Sequence, residues 1–116
     1  MNGVAYKLVD RAEWEASADP YAGSAVDRAD GYIHLSTSGQ LAETAARHYR
    51  GRAGLVLATV DLSGLGETLK WEASRGGELF PHIHGALPHA AVVAIRSLAV
   101  DGEGVMRFDD GATGWP

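Results

Sequence analysis

The chain has 116 residues, 46% of them hydrophobic, a net charge of −5 and no cysteine. That length suits a single domain, residues 1–116, with one core, and the composition excludes a largely disordered chain, disulfides and thiolate metal sites. Its ten basic residues are scattered except at Arg47, Arg50 and Arg52, which argues against duplex nucleic acid; no apolar run reaches signal-peptide or membrane-spanning length, so a soluble cytoplasmic protein is the expectation.

Residues 4–9 (VAYKLV) read as a first strand. Asp10, with Glu13 three residues on, makes a capping box for a helix that ends at Ala16–Ala18, before Asp19-Pro20. Residues 19–30 read as a loop with a helical turn near Ser24–Asp27, and a loop of that length in a small domain is often functional. Residues 31–36 form the second strand. Alternation puts Ile33 and Leu35 on the core face and Tyr32, His34 and Ser36 on the other. Thr37 and Gln40 make a capping box for a second helix from about Ser38 to Tyr49, closed by Gly51.

Residues 55–62 (LVLATVDL) are apolar enough for a central strand. TLKWE (68–72) reads as a strand, SRGG (74–77) as a turn, and ELFPHIHG as extended chain because Pro81 restricts its neighbour. AAVVAIRSLAV (90–100) is a further strand and GVMRF (104–108) an edge strand. Residues 109–116 read as a loose tail apart from Trp115. Strands outnumber helices, and both helices fall in the first half. This predicts an α+β fold with a mostly antiparallel sheet.

GLGETL (64–69) has two glycines of a dinucleotide-binding fingerprint but follows a turn. P-loop, HExxH and GxSxG patterns are absent. The chemistry-bearing residues lie instead in DGYIHLST (30–37) and LKWEASRGGELFPHIHG (69–85). His34 is either a structural histidine or the wall of a pocket. Ser36, Thr37 and the helix start beside it favour the pocket, since free N–H groups there attract phosphate. His82 and His84 point to the same side of an extended segment. They can ligate zinc with His34 or Glu72, yet any i, i+2 pair shares a side, so the non-metal reading leads and no metal is assigned.

Glu72 is either a solvated partner of Lys70 or the carboxylate of a site, able to stabilise a developing cation or act as a base. Arg75 is either a surface arginine or an anion clamp. Trp71 and Phe80 read first as core, with Phe80 the better stacking candidate. Tyr21 either closes over a pocket or packs on the surface. His48 and His89 read as surface residues.

DGYIHLST, LAETAARHYRG, VDLSGLG, LKWEASRGGELFPHIHG and ALPHAAVVAIRSL, in that order from about Tyr6 to Leu98, closely resemble the bacterial domain-of-unknown-function family nine-fifty-two. The family typically has tyrosine where this chain has His84. The resemblance implies an architecture similar to the ADP-ribosylation fold, in which a strand histidine binds the nucleotide. By that analogy His34 takes that role, although the chain has no ExE-type glutamate motif and shared fold does not carry shared function. The expectation is a small-molecule site with His34 and Glu72 as catalytic candidates. Ser36, Thr37, Arg75, Phe80, His82 and His84 join His34 as ligand-binding candidates, with NAD or a related nucleotide as substrate. A non-catalytic binding module for a small anionic metabolite is the main alternative. A histidine metal site ranks below both.

Overall fold

The computed structural model describes residues 3–115, with Arg75 described by its backbone alone. The elements follow in the order β1 (Val4–Asp10), α1 (Arg11–Ala16), α2 (Ala25–Asp30), β2 (Ile33–His34), α3 (Ser38–His48), β3 (Leu55–Asp61), β4 (Leu69–Ala73), β5 (Leu79–Ile83), β6 (Val92–Val100) and β7 (Met106–Phe108). Two antiparallel sheets result, of strand order β1-β3-β6-β7 and β2-β5-β4. The class is α+β with few helices, as the pattern of elements predicts.

The sheets are joined edge to edge by one bridge, Tyr6 to Ser36, with both backbone bonds at 2.8 Å. Opposed residues of an antiparallel pair share a face. One face of the first sheet therefore carries Ala5, Val9, Val56 and Val60, which pack with Ile33, Leu35 and Ile83 of the second in one buried cluster. The other face carries Leu8, Leu55, Leu57 and Leu98, which meet Leu41 and Ala45 of α3 in a second cluster. Thus the first sheet is covered on both sides. The second packs one face on the first cluster, and its other face, only partly covered, carries polar side chains beside the buried Phe80.

Three local readings are corrected. Among the described residues, three α-helices fall in the first half rather than two: α2 replaces half of the expected loop. A capping box starts it, with Ser24 Oγ accepting from the Asp27 N–H at 3.2 Å and Asp27 Oδ2 from the Ser24 N–H at 2.9 Å. Gly31, at φ 90°, ends it. Second, Asp10 accepts from the Glu13 N–H at 3.0 Å, but Glu13 turns its carboxylate to the Tyr21 hydroxyl, also at 3.0 Å, and leaves the capping box half made. Tyr21 is thereby buried. Third, the tail is fastened through Ala112, whose carbonyl accepts from the Phe108 N–H at 2.8 Å; Trp115, excepted from the loose-tail reading, packs edge-on against Tyr6 while its indole N–H bonds the Ser38 carbonyl at 2.9 Å. Pro116 lies outside the described residues.

Candidate functional site

β2 pairs with β5 so that His34 stands opposite His82, and β5 pairs with β4 so that Lys70 stands opposite His82 and Glu72 opposite Phe80. Alternation then places His34, His82, Glu72 and Phe80 on one face, with Ile33, Ile83 and Leu69 on the core face. The two polar runs, more than thirty residues apart in sequence, meet through this register. The rings confirm the contact. Tyr32 stacks on His82 at 4.2 Å and lies 4.6 Å from His34 and 5.1 Å from His84; His34 and His82 are 5.5 Å apart.

Past the Tyr6–Ser36 bridge, the edge of β2 meets side chains where a continued ladder would supply backbone. His34 is the residue whose N–H and carbonyl would bond β1 there. Lys7 Nζ donates to the His34 carbonyl at 3.1 Å, and Asp27 Oδ1 accepts from the His34 N–H at 3.1 Å. Two side chains therefore stand in for the missing rungs, which buried backbone groups require. The same two form an ion pair, Lys7 Nζ to Asp27 Oδ2 at 2.9 Å, with side chains only 5% and 1% exposed. Asp27 Oδ1 also meets His34 Nδ1 at 2.6 Å. Burial raises the pKa of Asp27. The His34 bond, the Lys7 charge and bond, and the Ser24 N–H outweigh it, so the carboxyl sits well below the usual carboxylate range.

With Nδ1 clamped from behind, His34 directs Nε2 toward Asp30, whose half-exposed carboxylate lies 2.9 Å away. Both residues line a cleft of about 750 Å³ between β1, α2, β2, α3 and β5. Arg47 and Arg52 stand on its α3 side. Arg47 pairs with Glu43 at 2.8 Å, and Arg52 lies over the Tyr49 ring, its guanidinium carbon 5.1 Å from the ring centroid.

Of the residues singled out from the sequence, His34, Ser36, Phe80 and His82 line the cleft. The Ser36 hydroxyl is taken up by Thr44 Oγ1 at 2.9 Å. Thr37 starts α3 outside the lining, its N–H bonded to Gln40 Oε1 at 3.0 Å. Gln40 also ties α3 to β5, through the Leu79 carbonyl at 2.8 Å. The Arg75 side chain lies outside the described residues; its neighbour Ser74 lines the cleft. Phe80 is buried, as read, whereas Trp71 is 47% exposed on the outermost strand of the second sheet, where no layer covers it. His89 bonds Ser17 and packs on Trp14, and His48 is exposed at the cleft.

Glu72 and His84 stand beside the cleft, outside its lining. Glu72 Oε1 lies 2.8 Å from His82 Nδ1 and 2.7 Å from His84 Nε2. Those bonds, His84's first, hold the Glu72 carboxyl pKa below its ordinary value. Lys7, Asp27 and Asp30 escape a search for motifs. The signal for Lys7 was present: alternation in VAYKLV puts it between Ala5 and Val9 on the core face, where a lysine needs a buried acid.

Comparison with known proteins finds three solved structures of one bacterial protein. The crystal structure of protein CC0527 from Caulobacter crescentus is 49% identical, with 90% of this chain and 93% of that chain covered and a TM-score of 0.84. The solution structure of CC0527 is 48% identical over 89% and 90%, at a TM-score of 0.77. The model of a family described as protein of unknown function (DUF952) matches residues 8–95. No curated protein matches.

Proposed function

The chain belongs to the DUF952 family of proteins of unknown function, and from the cleft at His34 we propose that it binds a small nucleotide-derived anion of the NAD or ADP-ribose class. One observation carries the proposal: a buried Lys7–Asp27 pair fixes one nitrogen of His34 and leaves the other beside Asp30, at a cleft of about 750 Å³. Cavities of roughly 300–1,000 Å³ suit small organic ligands. Nε2, with the Nδ1–H given to Asp27, and the Asp30 carboxylate together suit a vicinal diol, each accepting from one hydroxyl, as a ribose offers. Arg47 and Arg52 supply the charge for a phosphate. That moves the anion from the start of α3, expected from Ser36 and Thr37, to its last turn. The resemblance to the ADP-ribosylation fold adds the same role for His34.

Binding without turnover is the leading form of the reading, because Glu72 is held by two histidines off the cleft. A glycosyl-transfer activity is the second reading, favoured by Asp30: a carboxylate beside His34 is placed to stabilise an oxocarbenium-like centre. Calorimetry with ADP-ribose, NAD and AMP tests both. Saturable binding by the wild type, lost in His34→Ala and weakened in Arg52→Ala, is expected. An absence of heat at millimolar ligand, or His34→Ala binding like the wild type, would overturn the proposal. Release of nicotinamide from NAD that stops in Asp30→Asn, with binding retained, would establish the second reading.

A further inference from the structure

At the margin of the cleft, on the same face of the second sheet, three potential metal ligands converge, His82 from the lining and Glu72 and His84 from beside it. His82 Nδ1 and His84 Nε2 both aim at one oxygen of Glu72, and the three donor atoms lie within 4.8 Å of one another. We propose that Glu72, His82 and His84 bind a divalent transition-metal ion of the zinc class, with water in the remaining position.

The strands build this set. His82 and His84 project to one side of the β5 segment, and Glu72 reaches them from β4, where it stands opposite Phe80. Chance accounts for the histidine pair, since any i, i+2 residues share a side. It does not account for a carboxylate on the neighbouring strand placing a single oxygen between both rings. Tyr32 lies against both imidazoles, at 4.2 and 5.1 Å, and sets their planes. His82 is buried and positionally fixed, whereas His84 and Glu72 are about one third exposed. An ion can therefore enter from solvent, and the two part-exposed ligands have room to adjust to it.

The adjustment is small. Tetrahedral zinc with bonds of about 2.0–2.1 Å holds its ligand atoms roughly 3.4 Å apart, so shifts on the order of 1 Å take the cluster from hydrogen-bonded to metal-bound. Two imidazoles and a carboxylate suit zinc, nickel, cobalt or ferrous ions and disfavour calcium or magnesium, which prefer all-oxygen shells. Three protein ligands leave a coordination position open, unlike the closed four-ligand sets of structural zinc sites. Because His82 also lines the cleft, the ion would stand next to whatever binds there. The inference goes beyond the nucleotide reading and stands without it.

The test uses untagged, chelator-treated full-length protein titrated with zinc chloride by calorimetry and with cobalt chloride by visible absorption. One equivalent of zinc is expected to bind, and cobalt to give the d–d bands of an imidazole-rich, low-coordinate site. His84→Ala and Glu72→Gln should each weaken zinc by more than the roughly 10–100-fold that losing an outer-shell partner costs. His89→Ala, a histidine bonded to Ser17 instead, should leave binding unchanged. Absence of saturable zinc binding at 100-fold excess over protein, or equal affinity in wild type and both ligand variants, would overturn the proposal. His34→Ala keeps all three ligands, so retained zinc with lost nucleotide binding separates the two sites.

Discussion

Lys7 and Asp27 set the geometry on which the cleft depends. Buried ion pairs add little net stability over apolar packing, but removing one partner leaves an uncompensated charge. Lys7→Met should therefore cost about 3 kcal/mol, read as a lower urea midpoint with unchanged m-value. A loss below about 1 kcal/mol would mean that Asp27 is satisfied without it. The acid response follows from the sign of the Asp27 shift. Its folded value lies below the unfolded value of about 3.9. The stabilisation is then complete above that pH and is lost as pH falls through it toward the folded value. Asp27→Asn should be less stable than wild type at pH 7, and the gap should close as pH drops below the ordinary carboxylate range. A gap independent of pH would contradict the assignment. Lys7 was legible from strand alternation. Asp27 was not, because its role depends on a split between two strands that no local pattern records.

At the scale of elements, the alternation rule carried most of the reading. It put His34 opposite the Ile33–Leu35 face and paired His82 with His84, and the register of β2, β4 and β5 then assembled one polar face. Trp71 was misread as core from the burial tendency of strand aromatics, which does not say how far the covering layer extends. The short helix α2 was read as a turn because six residues hold too little apolar periodicity to show. Its entry is tight. A Cβ at Gly23, where φ is 102°, would come within 2.8 Å of Asp27 Cβ, whereas one at Gly31 meets nothing within 4 Å. Gly23→Ala should accordingly cost about 2–3 kcal/mol and displace the His34 ring signals. Gly31→Ala should cost about 1 kcal/mol and leave them in place. Equal effects on both stability and His34 would sink this account of α2.

Across the whole molecule, one sheet covered on both faces and a second covered fully on only one leave a polar face bordering a cleft. The α+β class was readable because strands outnumber helices. The joining of the sheets through one Tyr6–Ser36 bridge was not, since pairings between distant segments leave no trace in local pattern. The tail belongs to this larger organisation. Trp115 packs on Tyr6 beside that bridge and holds the first turn of α3. Trp115→Ala should cost about 2 kcal/mol by thermal or urea unfolding. No measurable loss would return residues 109–115 to the status of a loose end.

The central claim is that His34, clamped through one nitrogen by Asp27, offers the other to a ligand in the cleft. The most direct measurement is nitrogen-proton NMR of the histidine rings in protein labelled at histidine, titrated with ADP-ribose. Saturable shifts are predicted at His34 Nε2, with Nδ1 keeping its bond to Asp27 and with His89 unmoved. A folded protein whose His34 ring signals stay fixed at millimolar ADP-ribose, or move no more than those of His89, would contradict it.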